Sequence, residues 1–362
     1  MRIRSLMRGL VTVVTAATSL SSQSPPRRPT PLGLDEYLPA PKSNPLTAPK
    51  IALGRKLFFD AQLSIDRSVA CASCHRPAYA FSDTVGVSRG ALGQRTQRNT
   101  PSILNRGYGE RFFWDGRADD LETTVVQPIE NPREMGLPLP SLVARLRRSR
   151  EYRRLFAEVF HDSITATTIA RGLASYVRSL RSGDSPADRF LQGDRSALSP
   201  DAVHGRELFL GKAGCVTCHN GPTFTDERVH NTGASMQSPT GRAELDRGTQ
   251  TDGFKVPSLR NVALTAPYMH DGSLATLDAV VEFYNRGGGP NSRLDPEIHP
   301  LGLSGDEQHA VVAFLRSLTS RQLPNPRQPL SGPVRTMKQI GPASKDSPEK
   351  DLLANPIHHR IR

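Results

Sequence analysis

The sequence predicts an all-α protein that is built from two similar halves. Two five-residue motifs of one pattern occur at Cys71–His75 and Cys215–His219. Each follows a helix-like segment that carries the same short run, Gly54–Phe58 in the first half and Gly205–Phe209 in the second. Stretches with the alternation typical of strands are scarce. An internal repeat of this kind indicates that one helical unit has been duplicated.

Both motifs have the form Cys-x-x-Cys-His, which is the attachment pattern of haem c in exported proteins. The two thiols add to the vinyl groups of a haem, and the adjacent histidine supplies an axial nitrogen to the iron. The motifs use all four cysteines of the chain. Two short disulfides, a thioredoxin-like redox pair and a four-cysteine zinc site are the alternatives. We predict two haem c groups, held by Cys71, Cys74, His75, Cys215, Cys218 and His219.

The 362 residues are enough for two domains of ordinary size. A basic N-terminus followed by an uncharged run predicts a signal peptide over residues 1–24, with a retained anchor as the alternative. An exposed, proline-rich lead-in is expected over 25–45. Two cytochrome c-like domains, each with one haem c, are expected over 46–190 and 191–323. An arm and a disordered tail follow over 324–362. Because haem c is attached outside the cytoplasm, we expect a periplasmic protein.

Helix signals mark the internal order of each half. The first helix is expected to begin near Thr47, and the helix before the second motif begins after the cap Ser199. A single amphipathic helix is predicted over Ser141–Phe160, and another over Thr276–Arg286. The segment Arg181–Ser199 between the halves is rich in Gly, Asp, Ser and Pro, which predicts a linker.

The chain carries a net charge of +12, without a nucleic-acid motif or a basic stripe interleaved with aromatic residues. We therefore expect acidic protein partners and no nucleic acid. Six arginines lie between Arg145 and Arg154 on the predicted helix Ser141–Phe160. We interpret this charged face as a solvated surface, with docking of an acidic electron donor as the alternative.

The residue opposite each motif histidine decides the chemistry. A haem c with an open iron position can bind peroxide, whereas one with two strong ligands transfers electrons. The segment from Arg76 to Phe160 contains no histidine, and its one methionine is Met135. We therefore expect a vacant or water-occupied distal side at the first haem, with Glu134 as the acid–base group. A surface glutamate in a proline-bounded loop is the alternative.

The second half offers several distal groups. Met269, His270 and Tyr284 are the candidates, and Tyr284 lies on the apolar face of the predicted helix Thr276–Arg286. Phenolate ligation of haem iron has precedent, although core packing is the common role of a buried tyrosine. The single tryptophan, Trp114, is either a core residue or an oxidisable stepping stone between the two haems.

Several further runs match one protein family together with the two motifs. They are Arg98–Ser102, Phe113–Arg117, Glu134–Met135, Phe254–Asn261 and Pro267–Gly272. With these runs, the chain resembles the bacterial di-haem cytochrome c peroxidases from about Leu46 to Leu323. The resemblance implies two cytochrome c domains with a calcium ion and a tryptophan between the haems.

The resemblance also implies roles for individual residues. Trp114 would relay electrons between the haems, and Glu134 would be the distal acid–base residue. Asn99 would bind the calcium ion together with the backbone carbonyls of Thr265 and Pro267, which are hard oxygen ligands suited to that ion.

Three departures from the family pattern bear on function. Ordinary members cap the first haem with a histidine, and the corresponding loop, Phe81–Gln97, has none. They also place methionine where this chain has Tyr284, fourteen residues after His270. Tyrosine there is similar to the MauG branch, which oxidises a tryptophan-containing precursor protein to its quinone cofactor. Thr124 stands where the family has a distal-pocket glutamine, which changes the hydrogen bonding of peroxide.

We predict a di-haem c peroxidase that reduces hydrogen peroxide with electrons from a periplasmic donor, either a small cytochrome c or a cupredoxin. Glu134 would shuttle the proton, Trp114 would join the haems, and His219 with Tyr284 would hold the second haem's iron. Met269 is the competing ligand. A MauG-type enzyme that oxidises aromatic residues of a partner protein is the first alternative. A non-enzymatic electron carrier, with both irons six-coordinate, is the second, and assembly into a homodimer stays open.

Overall fold

A computed structural model describes residues 30–234 and 253–326. This part of the chain is helical with few strands, as predicted. The predicted signal peptide and nearly all of the predicted tail lie outside it. Among the described residues, no helix has the length and apolar character needed to cross a membrane. The α-helices are α1 (Ala48–Phe58), α2 (Cys71–Cys74), α3 (Leu121–Thr124), α4 (Gln127–Glu130), α5 (Leu139–Arg148), α6 (Arg150–Phe160), α7 (Ala166–Ser179), α8 (Pro186–Leu191), α9 (Pro200–Leu210), α10 (Leu277–Asn285) and α11 (Gly305–Ser317).

Shorter elements connect these helices. Two short strands, β1 (Val229–His230) and β2 (Phe254–Lys255), pair antiparallel. Single 3₁₀ turns occupy Ala61–Leu63, Pro77–Tyr79, Ala91–Gly93, Arg106–Tyr108, Cys215–Thr217 and Val262–Leu264.

The predicted helix starts are confirmed where the sequence supplies a side-chain cap. The side chain of Thr47 accepts a hydrogen bond from the Lys50 N–H at the start of α1. Ser199 and Thr276 cap α9 and α10 in the same way. A capping oxygen satisfies one of the N–H groups that have no partner within the helix, so it fixes the residue at which the helix begins.

Each half is organised around one pair of crossing helices, α1 with α7 and α9 with α11. Both pairs cross at a glycine of the repeated run. A β-carbon at Gly54 would lie 1.9 Å from the carbonyl oxygen of Gly172, and one at Gly205 would lie 1.8 Å from that of Ala310. The repeated run therefore opens with glycine because the helix backbones touch there.

The prediction of one helix over Ser141–Phe160 is wrong. The segment forms α5 and α6, which are separated at Ser149, a residue with extended backbone geometry (ψ 119°). The Ser149 hydroxyl accepts a hydrogen bond from the Tyr152 N–H, 3.3 Å away. Serine in a helix interior competes with the backbone for hydrogen bonds, and here it begins a new helix instead.

The expectation of an exposed lead-in is also corrected. Leu38 and Asn44 of the lead-in are buried, at 1% and 0% exposure. The Asn44 amide donates to Glu122 in the first half at 2.7 Å. The linker contains α8, which begins with a capping box between Ser185 and Asp188. The lead-in is ordered because its buried side chains have partners far along the chain.

One buried ion pair ties the lead-in, the linker and the second half together. The Arg260 guanidinium binds both carboxylate oxygens of Asp188, at 2.9 and 3.0 Å. The same guanidinium donates to the carbonyl of Gly33 and to that of Pro222. Both charged side chains are 2% exposed. A paired, bidentate guanidinium can be buried in this way because each of its charges and donors has a partner.

Gly205→Ala should lower the free energy of unfolding by about 1–3 kcal/mol, because the new methyl group meets the Ala310 carbonyl and forces α9 away from α11. Chemical denaturation of the purified protein measures this change. Gly305→Ala is the matched control, since no atom lies within 4 Å of its added carbon. Unaltered stability of the Gly205 variant would contradict the proposed backbone contact.

Candidate functional site

A continuous cavity of about 670 Å³ extends between the two halves. Both Cys-x-x-Cys-His motifs contribute to its wall. The remaining residues singled out from the sequence line it as well, namely Asn99, Trp114, Thr124, Glu134, Thr265, Pro267, Met269, His270 and Tyr284. The fold therefore brings together in one cavity residues that are more than 200 positions apart in the chain.

The two motif histidines are oriented in the same way. Nδ1 of His75 lies 3.1 Å from the carbonyl oxygen of Phe81, and Nδ1 of His219 lies 3.0 Å from that of Phe224. A carbonyl oxygen can only accept, so each Nδ1 carries the proton. Each Nε2 therefore keeps a lone pair for a metal ion, an arrangement typical of ligating histidines.

A serine fixes the loop that presents each of these carbonyls. Ser102 donates to the carbonyl of Ala80, and Ser258 donates to that of Thr223, both at 2.6 Å. Ala80 directly precedes Phe81, and Thr223 directly precedes Phe224, so each serine holds the residue next to the carbonyl that binds a histidine. Sequence reasoning missed this positioning role, although the repeated Pro-Ser dipeptides at 101–102 and 257–258 mark it.

The donor set fits a covalently bound haem better than the alternatives. The four cysteines form no disulfide. Burial raises the pKa of the Cys71 and Cys215 thiols to about 12, so neither resembles a reactive redox thiolate. The one group of three metal-binding side chains found among residues 30–234 and 253–326 contains a single cysteine, Cys218, with Asp226 and His230. Free thiols beside an oriented histidine and an apolar-walled cavity are what haem c requires.

Glu134 lies beside the first motif with its carboxylate held in place. The Asn131 amide donates to this carboxylate at 2.6 Å. Burial raises the pKa of Glu134, while the Asn131 hydrogen bond and the Arg117 charge oppose that rise. The group can therefore hold a proton at a higher pH than an exposed glutamate. The Thr124 hydroxyl donates back to the Asp120 carbonyl at 2.6 Å, so that proton is not directed into the cavity.

Trp114 lies where the two halves are joined. Its indole N–H donates to the carbonyl of Asn99 at 2.8 Å, and its own carbonyl accepts from the Lys255 N–H at 2.7 Å. The Asn99 N–H in turn donates to the carbonyl of His270 at 2.7 Å. The bond to Asn99 thus orients the ring on the cavity wall, and backbone bonds tie Trp114 and Asn99 to the second half.

The two halves carry different side chains at equivalent positions. The bridge Phe112↔Ala118 recurs 156 residues later as Tyr268↔Leu274 (268 − 112 = 156). The same interval relates Pro128 to Tyr284 (284 − 128 = 156), and both side chains line the cavity. Tyr284 projects from α10, and burial raises its pKa to about 12. Proline has no side-chain atom that can bind a metal, so only the second half offers a ligand at this place.

Comparisons with known proteins agree with this geometry. The sequence profile described as di-haem cytochrome c peroxidase matches residues 48–196. The methylamine utilization protein MauG of Methylorubrum extorquens is 41% identical over 288 residues, which cover 78% of this chain and 82% of that protein. The chain belongs to the di-haem cytochrome c peroxidase family. The cytochrome-c peroxidase IdrP2 of Denitromonas iodatirespirans is 38% identical, over 80% of this chain and 87% of that protein.

A solved structure supports the same assignment. The crystal structure of a MauG-like protein associated with microbial copper homeostasis superposes with a TM-score of 0.74. It is 33% identical in sequence, and the match covers 80% of this chain and 95% of that one. Family membership confirms the prediction of a peroxidase-like oxidoreductase and implies two haem groups.

Proposed function

We propose that this family member is a periplasmic enzyme that reduces hydrogen peroxide to water with two electrons from a small cytochrome c or cupredoxin. One haem c would be attached in each of two cytochrome c-like domains, at Cys71 and Cys74 in the first and at Cys215 and Cys218 in the second. The observation that carries the proposal is the single cavity. It joins a protonatable Glu134 beside the first motif to Tyr284 beside the second.

The first half would be the site of peroxide reduction. When bound, a haem supplies an iron that can take up peroxide or pass electrons. His75 would hold the first iron. Pro128 would add no further ligand, because proline has no side-chain atom that binds a metal. Glu134 would take a proton from the inner peroxide oxygen and return it to the outer one, which makes water the leaving group.

The second half would pass electrons to the first. His219 and Tyr284 would hold its iron. Trp114 would carry electrons between the halves, because its ring lies on the shared wall and its position is fixed by Asn99 and Lys255. Met269 also lines the cavity and is the competing ligand.

A calcium ion would strengthen the same junction. Asn99, Thr265 and Pro267 line the cavity together. The side-chain amide of Asn99 donates to the carbonyl of Val85 at 3.1 Å, which orients its oxygen. An amide oxygen and two backbone carbonyls are ligands of the type that calcium prefers.

Tyr284 supports a second candidate function. A phenolate ligand favours the higher oxidation states of iron, so an enzyme that carries it would hold oxidising equivalents on both haems. Such an enzyme would suit the MauG-type reaction, in which an aromatic residue of a partner protein supplies the electrons. The two functions share the cavity and differ in the reductant.

The fully oxidised protein should react with peroxide without prior reduction, because no histidine between Arg76 and Phe160 is available to close the first site. Optical and EPR spectra of the oxidised protein, recorded with and without peroxide, test this directly. Spectra of the oxidised protein that do not respond to peroxide would show that another ligand closes the first site. A protein that stays unresponsive after one haem has been reduced, with both irons six-coordinate, would be a di-haem electron carrier.

Glu134→Gln should retain both haems and slow peroxide turnover by about 10²–10⁴-fold, the usual contribution of an acid–base group. Steady-state assays with a fixed electron donor measure the loss. Glu130→Gln is the control, because Glu130 is a nearby exposed glutamate whose carboxylate only accepts from the Leu139 N–H. Equal rates for the Glu134 variant and the parent would remove Glu134 from the mechanism.

Tyr284→Phe should change the spectrum of the second haem and raise its reduction potential, because an anionic ligand to ferric iron is lost. Tyr268→Phe provides the control, since the Tyr268 hydroxyl also lies near the cavity but donates to the Val262 carbonyl. Redox titration followed by EPR separates the two haems. If the second haem keeps its spectrum and potential in Tyr284→Phe, Tyr284 is a packing residue.

A further inference from the structure

A buried cluster of charges bridges the two halves at the cavity wall. Arg106 binds both oxygens of Glu227, at 2.6 and 2.9 Å. The ammonium of Lys255 lies 3.7 Å from the same carboxylate. The three side chains are 13%, 14% and 9% exposed, respectively. The Glu227 carboxylate thus lies between two cations, and it accepts hydrogen bonds from the Arg106 guanidinium and from the Arg111 N–H.

The ammonium of Lys255 retains donor capacity. An ammonium has three N–H donors. Among the residues that the structure describes, one acceptor lies within hydrogen-bond distance, the carbonyl of Val256 at 3.1 Å. Burial and the neighbouring Arg106 lower the pKa of Lys255 to about 7. A buried cation with spare donors is costly unless an anion accepts from them.

Two other carboxylates lie close by, but both are engaged with an imidazole. His230 has Asp226 at 3.0 Å from Nε2 and Asp295 at 2.6 Å from Nδ1. His230 can neutralise one of these charges when it is protonated, and both carboxylates bind its ring rather than the ammonium. A further acceptor for Lys255 can come from the cavity, which this side chain lines.

Lys255 lies on the wall beside the second motif. In the strand pair β1–β2, Val229 is the partner of Lys255. The next residue of β1, His230, has its Nε2 3.9 Å from the sulfur of Cys218. A haem attached at that cysteine would bring two propionate carboxylates into the same cavity, and carboxylate-to-ammonium hydrogen bonds are among the strongest that proteins make.

We propose that Lys255 binds a propionate carboxylate of the haem attached at Cys215 and Cys218. Glu227 gives its short hydrogen bonds to Arg106 and lies 3.7 Å from the Lys255 ammonium, so that ammonium keeps donors for the propionate. The inference rests on the proposed attachment of haem to the second motif. Its consequence is electrostatic. A cation beside the second haem favours the reduced form, and because Arg106 belongs to the first half, the contact between the halves helps to set that potential.

The experiment uses the purified protein with its haems attached. Lys255→Met should shift the reduction potential of the second haem downward and leave that of the first haem unchanged. Lys255→Gln should do the same, and Lys255→Arg, which keeps charge and donors, should stay close to the parent. Lys212→Met is the matched control, because Lys212 is an exposed lysine of the same half that pairs with Glu307. EPR-monitored titration measures both potentials.

A second measurement reports on the carboxylate itself. The propionate-bending band in the resonance Raman spectrum should move in Lys255→Met and stay in Lys212→Met. An unchanged potential and band in both neutral variants would overturn the inference, as would a shift confined to the first haem. Mass spectrometry of the same protein counts the haems that are covalently attached, independently of the potential and the Raman band. Fewer than two in the parent would refute the proposed function, whereas two haems with no effect of Lys255 would refute the propionate contact alone.

Discussion

The arrangement of the site depends on two reciprocal backbone hydrogen bonds between the halves. The N–H of Asn99 donates to the carbonyl of His270, and the N–H of Lys255 donates to the carbonyl of Trp114, each at 2.7 Å. Asn99 and Lys255 are equivalent positions of the repeat, as are Trp114 and His270 (255 − 99 = 156; 270 − 114 = 156). Buried backbone groups must be paired. The junction therefore has one favourable register, and that register places the tryptophan on the wall between the two motifs.

In this duplicated scaffold, the residues that position the motif histidines are not the same as those proposed to determine the chemistry at each haem. The parts that position the histidines are alike in both halves, including the left-handed Phe81 and Phe224 whose carbonyls bind Nδ1. The residues that would decide reactivity under the proposed function differ at equivalent positions, with Pro128 in the first half and Tyr284 in the second. Two irons held as proposed would therefore differ in coordination without any change in the helices around them.

Local signals explain what the sequence could predict. Thr47, Ser199 and Thr276 cap helices through bonds to residues three positions away, so those helix starts are visible in the sequence. The cysteine motifs are local for the same reason. The contact between Arg260 and Gly33 joins residues 227 positions apart, and no periodicity or composition reveals it. The sequence of the lead-in therefore predicts an exposed segment. The helix break at Ser149 is not visible in the sequence either, because the amphipathic pattern continues through it.

Buried polar contacts, including the Arg260–Asp188 ion pair, join the halves and constrain how they can move. An ion pair such as Arg260–Asp188 contributes less net stability than its short distances suggest, because both charges lose their hydration. It is strongly directional, however, and a sliding movement of one half would leave two buried charges without partners. Electron transfer between the halves would require a fixed separation rather than a large binding energy. Charged contacts that tolerate few relative positions would meet that requirement.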